Sequence, residues 1–375
     1  MNRRNIELDI LKGITIVLMV AGHAEFPLKK YVYLFHMAVF VMASGYFFNS
    51  KYSKTAKSIR ELLIKRLKSL WFPYFWANSL FIFLNNAFIK LNIYTTNPDI
   101  LFLNTETYAP NSISHTYGLL EIIKRICRVA ILEGGTQIGG ALWFLSMMFK
   151  LTMVYCIIGF LFNSIFSEKW VHVSQTVVSV CFLYLGWRLG REKVYAFGLA
   201  RVFSVYILFH IGHLISNFKS NIKIDQYNVL TIGISILGLY IIGEFGDVEL
   251  STNYYTNPIV LVAGGVLGWL LIYSLSSMLA QLYTAQNMFT RIGQNTLPIL
   301  ILHLLCFKLV NIIIVILMHD DLFWIAAFPT LANGDGWWWI LYTIFGIVIP
   351  ICLNVARKEK VKNLNCVICR EKNDE

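Results

Sequence analysis

Long apolar runs separated by short polar breaks are the main feature of this sequence. A helix that crosses the hydrocarbon core of a bilayer needs about 20 mostly apolar residues. Ten segments approach or reach this length: 8–25, 31–49, 69–91, 141–162, 170–188, 201–218, 228–245, 257–280, 296–318 and 337–355. The pattern predicts an all-α fold, a polytopic membrane helix bundle with about ten transmembrane helices that forms a single domain over residues 1–375.

The loop 92–140 is the longest break in this pattern. Near its end, residues 119–132 are apolar and basic but too few to span a bilayer. We expect this stretch to form a helix at the membrane interface.

Lys and Arg residues are unevenly distributed between the predicted loops. The segments 49–68 and 356–375 are strongly basic, whereas the loops 246–256 and 319–336 contain no Lys or Arg. Cytoplasmic loops of membrane proteins are enriched in these residues. Both the N- and C-termini are therefore predicted to be cytoplasmic, with 356–375 as a short basic tail. Three basic residues on the predicted outer side depart from this rule: Arg188, Arg191 and Lys193.

The composition agrees with a membrane protein and argues against a soluble one that binds nucleic acid. Hydrophobic residues make up 57% of the chain and charged residues 14%, whereas soluble domains are about half apolar and a quarter charged. The net charge of +11 is typical of basic cytoplasmic loops beside anionic lipid. We expect a multi-pass protein of the cell membrane, namely the bacterial inner membrane, with membrane lipid and no nucleic acid among its partners.

The cysteine pattern predicts no metal site. Cys366 and Cys369 form a single CxxC pair in the tail, whereas a zinc site needs a second pair of ligands. We expect this pair to stay reduced and to bind no metal.

The first apolar segment carries three ionisable residues, Asp9, Lys12 and His23. Ionisable groups inside a membrane span are costly and are functional candidates by default. Lys12 and His23 are close to three helical turns apart in the sequence, so they share one helix face at a separation of about 16 Å. Asp9 lies one turn before Lys12 and is predicted to form an ion pair with it. A structural interpretation, in which Lys12 extends to the interface and His23 ends the span, is equally compatible with this spacing.

A second histidine, His36, begins the next segment after a short loop. His36 enters the membrane at the end where His23 leaves it, so the two imidazoles are predicted to lie at one depth on adjacent helices. Ser44 lies further along the same segment and either allows close helix packing or contacts a substrate. Arg66 lies at the cytoplasmic edge of the third segment, where it either anchors the helix or binds an anionic ligand.

Other polar residues inside the predicted spans are expected to be structural groups with partners rather than catalysts. They are Lys150, Lys308, His210, His213 and His303. Motifs for nucleotide hydrolysis, zinc proteolysis and serine hydrolases are absent from the sequence. The remaining chemistry is an imidazole within the membrane, which can act as a general base, and a cationic rim that can hold a phosphate-bearing ligand.

Five blocks of sequence follow one another in the order found in a known family. They are IELDILKGITIVLMVAGH at 6–23, FHMAVFVMASGYFF at 35–48, RLKSLWFPYF at 66–75, ALWFLSMMF at 141–149 and IGQNTLPILILH at 292–303. The first block contains a basic residue, ten intervening residues and a His. With these blocks the chain resembles the integral-membrane acyltransferase family called acyltransferase-3, and in particular its stand-alone sugar O-acetyltransferases.

The resemblance implies a membrane-embedded O-acyltransferase. Such an enzyme moves an acyl group, commonly acetyl from acetyl-CoA, to a hydroxyl of a cell-surface glycan or a lipid-linked sugar. By motif position, His23 is the implied catalytic base, and Lys12 and Arg66 are the implied basic contacts to substrate. Further motif positions implied to bind substrate are His36, Ser44, Trp143 and His303. Acetyl-CoA is then a substrate, and we expect no tightly bound cofactor and no metal.

Two other functions fit the sequence. A transporter or flippase of a glycan precursor would also have about ten spans with Lys and His residues in the middle of the membrane. A non-catalytic membrane partner of a glycan assembly complex would tolerate conservative replacement of His23. Incubation of membranes with labelled acetyl-CoA distinguishes the enzyme from both, because only the enzyme places label on glycan or lipid.

Overall fold

A computed structural model describes residues 5–96, 114–218, 228–331 and 336–371 of the chain. The middle of the predicted loop 92–140 and the last four residues of the tail lie outside the described residues, as do the side chains of Cys366 and Cys369.

The described residues are almost entirely helical, which confirms the all-α class. The α-helices, in chain order, are α1 (Ile6–His23), α2 (Lys29–Tyr33), α3 (His36–Tyr46), α4 (Ala56–Arg66), α5 (Phe72–Phe83), α6 (Asn85–Lys90), α7 (Leu119–Ala130), α8 (Trp143–Ile165), α9 (Glu168–Arg191), α10 (Leu199–Phe218), α11 (Asn228–Phe245), α12 (Pro258–Leu279), α13 (Tyr283–Gly293), α14 (Thr296–Met318) and α15 (Trp338–Glu371). Two short antiparallel strands, β1 (Val248–Glu249) and β2 (Tyr254–Tyr255), form a hairpin between α11 and α12.

Five helices in the described part of the chain are long and apolar enough to cross a membrane, which supports a multi-pass membrane protein. They span Gly140–Ile165, Ala196–Asn217, Pro258–Leu279, Thr296–Met318 and Trp338–Lys360. These helices coincide with the fourth, sixth, eighth, ninth and tenth predicted segments. The full count of ten and the side of the membrane that holds the termini stay predictions.

The second and third predicted segments are broken helices in the structure. The segment 31–49 contains most of α2 and all of α3, and the 11 residues of α3 extend only about 16 Å. The segment 69–91 contains α5 and α6, and a π-helical turn, Leu67–Trp71, precedes α5. Pro73 explains this turn, because proline has no N–H to donate to the preceding helical carbonyl.

Helix α1 lies at the centre of the bundle, where it contacts α3 and the four helices α12 to α15. Its closest neighbour is α13. A Cβ atom added to Gly13 would overlap the Phe289 carbonyl, and one added to Gly293 would overlap the Asp9 carbonyl. The two backbones can approach this closely because both positions lack a side chain.

A similar crossing joins α3 to α10. A Cβ atom on Gly45 would overlap the Phe209 carbonyl, and one on Gly212 would overlap the Met42 carbonyl. Small residues on both helices therefore fix the position of α3, the helix that begins at His36.

Helices α1 and α15 run antiparallel. Just beyond the end of α1, the Phe26 ring lies 4.8 Å from the Trp339 ring at the start of α15. Near the other end, Asn354 of α15 donates to Asn295 at 2.7 Å, and Asn295 follows the Gly293 turn that packs against Asp9. The start of α1 and the C-terminal half of α15 therefore lie at the same end of the bundle.

Candidate functional site

The end of α1 places His23 beside the start of α3. The Phe26 N–H donates to the Ala21 carbonyl at 3.1 Å, and Glu25 adopts a left-handed φ of 62°. This pattern terminates a helix and reverses the chain. The reversal is short, so His36 at the start of α3 returns to the same region of the bundle.

Tyr33 joins these two histidines. Its ring centroid lies 6.4 Å from that of His23 and 4.9 Å from that of His36. His23 is partly exposed, whereas the His36 side chain is buried.

A third imidazole reaches His23 from α14. The ring centroids of His23 and His303 are 5.4 Å apart, and His303 is fully buried. A Cβ atom on Gly346 of α15 would meet both His303 and Val20, so this glycine allows α15 to close behind the pair. His23 and His36, which are close in the sequence, and the distant His303 thus form one group.

The backbone fixes the tautomers of the two buried rings. His36 Nδ1 lies 2.9 Å from the Val32 carbonyl, and His303 Nδ1 lies 2.9 Å from the Ile299 carbonyl. A carbonyl can only accept, so each Nδ1 carries the proton and each neutral ring keeps a lone pair on Nε2. Among the described residues, His303 Nε2 is buried and has no hydrogen-bond partner.

The histidine group lies inside the bundle rather than at its edge. Helix α14 continues from His303 to Met318, which is about 22 Å further along its axis at 1.5 Å per residue. Helix α15 begins about 12 Å before Gly346, which packs beside His303. His23 is the last residue of α1, so α1 alone would place it at the outer end of a span. The neighbouring helices α14 and α15 extend well past His23.

A cavity of about 30 Å³ lies against His23 and His36. Trp143 at the start of α8, Leu300 of α14 and the hairpin residues 248–251 also line it. This volume is close to that of one water molecule. The cavity must therefore widen before it admits a substrate.

Arg201 contacts two parts of the wall of this cavity, Trp143 and the hairpin. Its guanidinium lies 4.6 Å from the Trp143 ring centroid and donates to the Ser251 carbonyl of the hairpin. Glu249 of the same hairpin accepts from the Ser251 N–H at 3.1 Å. Sequence reasoning missed both Arg201 and Glu249. The rule that singled out Lys12 would have found Arg201, because an arginine near the start of an apolar span needs a partner.

The other sequence-predicted residues lie away from this cavity. Lys12 Nζ is 2.7 Å from Asp9 Oδ1 and 5.5 Å from the Phe47 ring centroid, beyond the end of α3. Ser44 is eight residues past His36, about 12 Å along α3. Arg66 is partly buried at the end of α4, and its Nε has no partner among the described residues. The predicted site residues thus divide between the histidine cavity and the opposite end of α1 and α3.

An apolar groove of about 540 Å³ runs between α5, α14 and α15. Among the residues that line it, Asn354 and Arg357 are polar or charged, and both lie at its α15 end. Ile301 lines the groove, whereas the adjacent Leu300 lines the histidine cavity. Helix α14 therefore forms a wall between the groove and the cavity.

His210 and His213 belong to a separate cluster. The Tyr155 hydroxyl lies 2.8 Å from His210 Nδ1 and 2.9 Å from His213 Nδ1. His210 Nε2 lies 2.9 Å from Thr176 Oγ1, and His213 Nε2 lies 3.0 Å from Ser50 Oγ. All four ring nitrogens therefore have hydrogen-bond partners.

The direction of these hydrogen bonds follows from Thr176, whose hydroxyl donates to the His172 carbonyl at 2.9 Å. Thr176 Oγ1 must then accept from His210 Nε2, which leaves His210 Nδ1 to accept from the Tyr155 hydroxyl. His213 Nδ1 donates to the same tyrosine oxygen, and its Nε2 accepts from the serine. One arrangement of neutral tautomers satisfies every group, as expected of a structural cluster.

Lys150 and Lys308 also have structural partners. Lys150 Nζ lies 2.8 Å from Glu133 Oε1. The fully buried Lys308 Nζ donates to the carbonyls of Ala326 and Ala327 at 2.9 and 2.7 Å. Neither lysine reaches the histidine cavity. Across the described ranges, no group of His, Cys, Asp and Glu residues is arranged to hold a metal ion.

Comparison with known proteins identifies the family of this chain. A family model described as an acyltransferase domain matches residues 5–355. The match includes His23, His36 and His303, Trp143 and the residues at the mouth of the groove up to Asn354. Searches of curated proteins and of solved structures find no match. Because the family model covers nearly the whole chain, this protein belongs to the acyltransferase-3 family of membrane acyltransferases.

Proposed function

We propose that this protein transfers acetyl from acetyl-CoA to a hydroxyl of a cell-surface glycan or a lipid-linked sugar, with His23 as the general base. The observation that carries the proposal is the His23 imidazole, which lies at a cavity inside the bundle beside the buried rings of His303 and His36. An imidazole titrates near neutral pH and can accept a proton from a reacting hydroxyl.

The proposed reaction balances with the two substrates alone. His23 takes the proton of the acceptor hydroxyl while the hydroxyl oxygen attacks the thioester carbonyl. The tetrahedral intermediate loses the sulfur as its C–S bond breaks, and the CoA thiolate takes the proton from the His23 imidazolium. The products are an acetyl ester and free CoA.

His36 and His303 act as positioning residues in this scheme. Each keeps its proton on Nδ1, so each offers an Nε2 lone pair to a protonated His23 or to the acceptor hydroxyl. Trp143, held by Arg201, covers the cavity and limits the entry of water. Exclusion of water favours transfer of the acetyl group to the acceptor over hydrolysis of the thioester.

The donor approaches from the end of the bundle that holds Lys12 and Arg66, where the two cations hold its phosphates. Its acyl arm enters the apolar groove, whose mouth carries Arg357, and the thioester reaches His23 once α14, the wall between the groove and the histidine cavity, moves aside. This route explains why Lys12 and His23, about 16 Å apart on α1, belong to the same reaction.

The test replaces His23 by Gln in purified, folded protein and follows transfer of labelled acetyl. A general base contributes about 10²–10⁴-fold to the rate, so we expect the rate of acetyl transfer to fall by about 100-fold or more. His319→Gln, at an exposed position after α14, serves as the control and should retain the wild-type rate. Transfer by the His23 variant at near the wild-type rate would show that His23 is not the base. If wild-type membranes place no label on any acceptor, the result favours the transporter hypothesis instead.

A further inference from the structure

A second polar cavity lies on the other side of α5 from the apolar groove. Its volume is about 340 Å³, at the lower end of the range for small-molecule sites. It is enclosed by α7, the ends of α5 and α6, residues 114–117 and the turn 134–137. Its lining is mostly polar or charged, in contrast to the groove.

The cavity carries a surplus of positive charge. Lys124, Arg125 and Arg128, one face of α7, line it together with one carboxylate, Glu121. Arg125 is engaged, since it lies 2.7 Å from Glu121 and 4.2 Å from the Tyr117 ring centroid. In the part of the chain that the structure describes, Lys124 and Arg128 have no carboxylate partner.

The turn 134–137, which follows α7 and lies beside Arg128, also lines the cavity. Leu132 and Gly134 adopt left-handed φ values of 65° and 82°, and the Tyr74 hydroxyl fixes the turn by donating to the Gly134 carbonyl at 2.7 Å. The N–H groups of Gly135, Thr136 and Gln137 donate to no other described residue. Successive free N–H groups in such a turn favour an anion.

Hydroxyl and amide groups complete the walls. Asn85, Ser114 and Gln137 line the cavity beside the tyrosines Tyr94 and Tyr117. Burial raises the pKa of Tyr94, so its hydroxyl stays protonated. Aromatic faces and side-chain amides are suited to a sugar, whereas the cations and the free N–H groups are suited to a phosphate.

The residues that line this cavity are close in the sequence to residues of the histidine site. Gln137 ends the turn 134–137. Ala141 and Trp143, which line the histidine cavity, follow it closely in the sequence. A ligand that contacts Gln137 is therefore held by a chain segment that also lines the histidine cavity.

We propose that this cavity, which we call the α7 cavity, binds a phosphate-bearing sugar group of a substrate. A lipid-linked sugar diphosphate, an acceptor of the proposed reaction, carries this chemistry, whereas the phosphates of acetyl-CoA are assigned to Lys12 and Arg66. The identity of the ligand as an acceptor rests on the proposed function, whereas the binding of the phosphate does not. The volume suits one sugar phosphate and not a complete CoA molecule.

The binding test uses the full chain in lipid nanodiscs and inorganic diphosphate as the probe. The double variant Lys124→Ala and Arg128→Ala should raise the dissociation constant about tenfold or more, because each lost cation removes a charge-assisted hydrogen bond. Lys90→Ala is the matched control: Lys90 is exposed on the neighbouring helix α6 and does not line the cavity. It should change the dissociation constant by no more than about twofold.

Competition identifies the source of the phosphate. Displacement of diphosphate by a polyprenyl diphosphate-linked sugar, but not by CoA, supports the proposal and assigns the α7 cavity to the acceptor. The proposal is overturned if wild-type protein does not bind diphosphate, if the double variant binds it normally, if Lys90→Ala weakens binding equally, if the polyprenyl diphosphate-linked sugar does not displace it, or if CoA displaces it equally well.

The two proposals can fail separately. The His23→Gln protein should bind diphosphate as well as the wild type does, because His23 does not line the α7 cavity. If the wild type binds diphosphate through Lys124 and Arg128 but transfers no acetyl group, the proposed function is wrong, whereas the proposed phosphate site in the α7 cavity is supported.

Discussion

The Tyr155→Phe variant tests the reasoning about the second histidine cluster. Tyr155 is 2% exposed, and its hydroxyl bonds to both His210 and His213. The substitution keeps the ring and removes only the oxygen. His210 Nδ1 then loses its donor and His213 Nδ1 loses its acceptor, so two buried polar groups become unsatisfied.

The size of the effect follows from these two groups. An unsatisfied buried donor or acceptor costs about 1–3 kcal/mol, so the two groups set a range of about 2–6 kcal/mol. A cavity of about 30 Å³ adjoins Tyr155 and His213 and has room for one water molecule, which could satisfy part of the loss. We therefore expect the free energy of unfolding to fall by about 2–3 kcal/mol.

The assay is equilibrium unfolding in mixed micelles, with Tyr184→Phe as the control. Tyr184 lies on α9 and is 59% exposed, and its hydroxyl makes no hydrogen bond in the described structure. The control loses the same atom and should change the free energy of unfolding by no more than about 0.5 kcal/mol. If Tyr155→Phe is as stable as Tyr184→Phe, the Tyr155 hydroxyl does not satisfy the two buried imidazoles as described.

Two further variants test the helix packing and the groove. Gly293→Ala should destabilise the protein by about 1–3 kcal/mol through overlap with α1, whereas Gly233→Ala, whose Cβ meets nothing within 4 Å, should not; equal melting temperatures of the two variants would contradict the close crossing. Ile301→Trp should fill part of the groove and raise the KM for acetyl-CoA, whereas Leu309→Trp on the same helix, 44% exposed and outside the groove, should leave it unchanged. An unaltered KM in both variants would exclude the groove as the route of the donor.

The sequence alone determines the class of this protein. Apolar runs of about 20 residues satisfy their backbone hydrogen bonds within a bilayer only as helices, so composition and length predict a helical membrane bundle without knowledge of any contact. The nearness of His23 and His36 is also local, because the short loop between them forces the second helix to begin where the first one ends. The motif blocks identify the family for the same reason, since each block is a continuous stretch.

Local patterns did not predict which segments are unbroken. The π-helical turn before Pro73 and the short α3 interrupt runs that look continuous in hydropathy. Hydropathy records the polarity of a residue but not whether its backbone N–H and carbonyl are paired, so helix breaks inside an apolar run leave little trace in it.

Only the tertiary structure decided which polar residues meet. His303 contacts His23, and Arg201 covers Trp143, through helices that are far apart in the sequence. His210 and His213 have the same residue type as His303, yet they face Tyr155 instead. Helix rotation and depth select these partners, and both depend on close approaches such as Gly13 to α13 and Gly45 to α10. The sequence supplies the ionisable groups, and the packing of the backbones determines whether each one forms part of a site or of the scaffold.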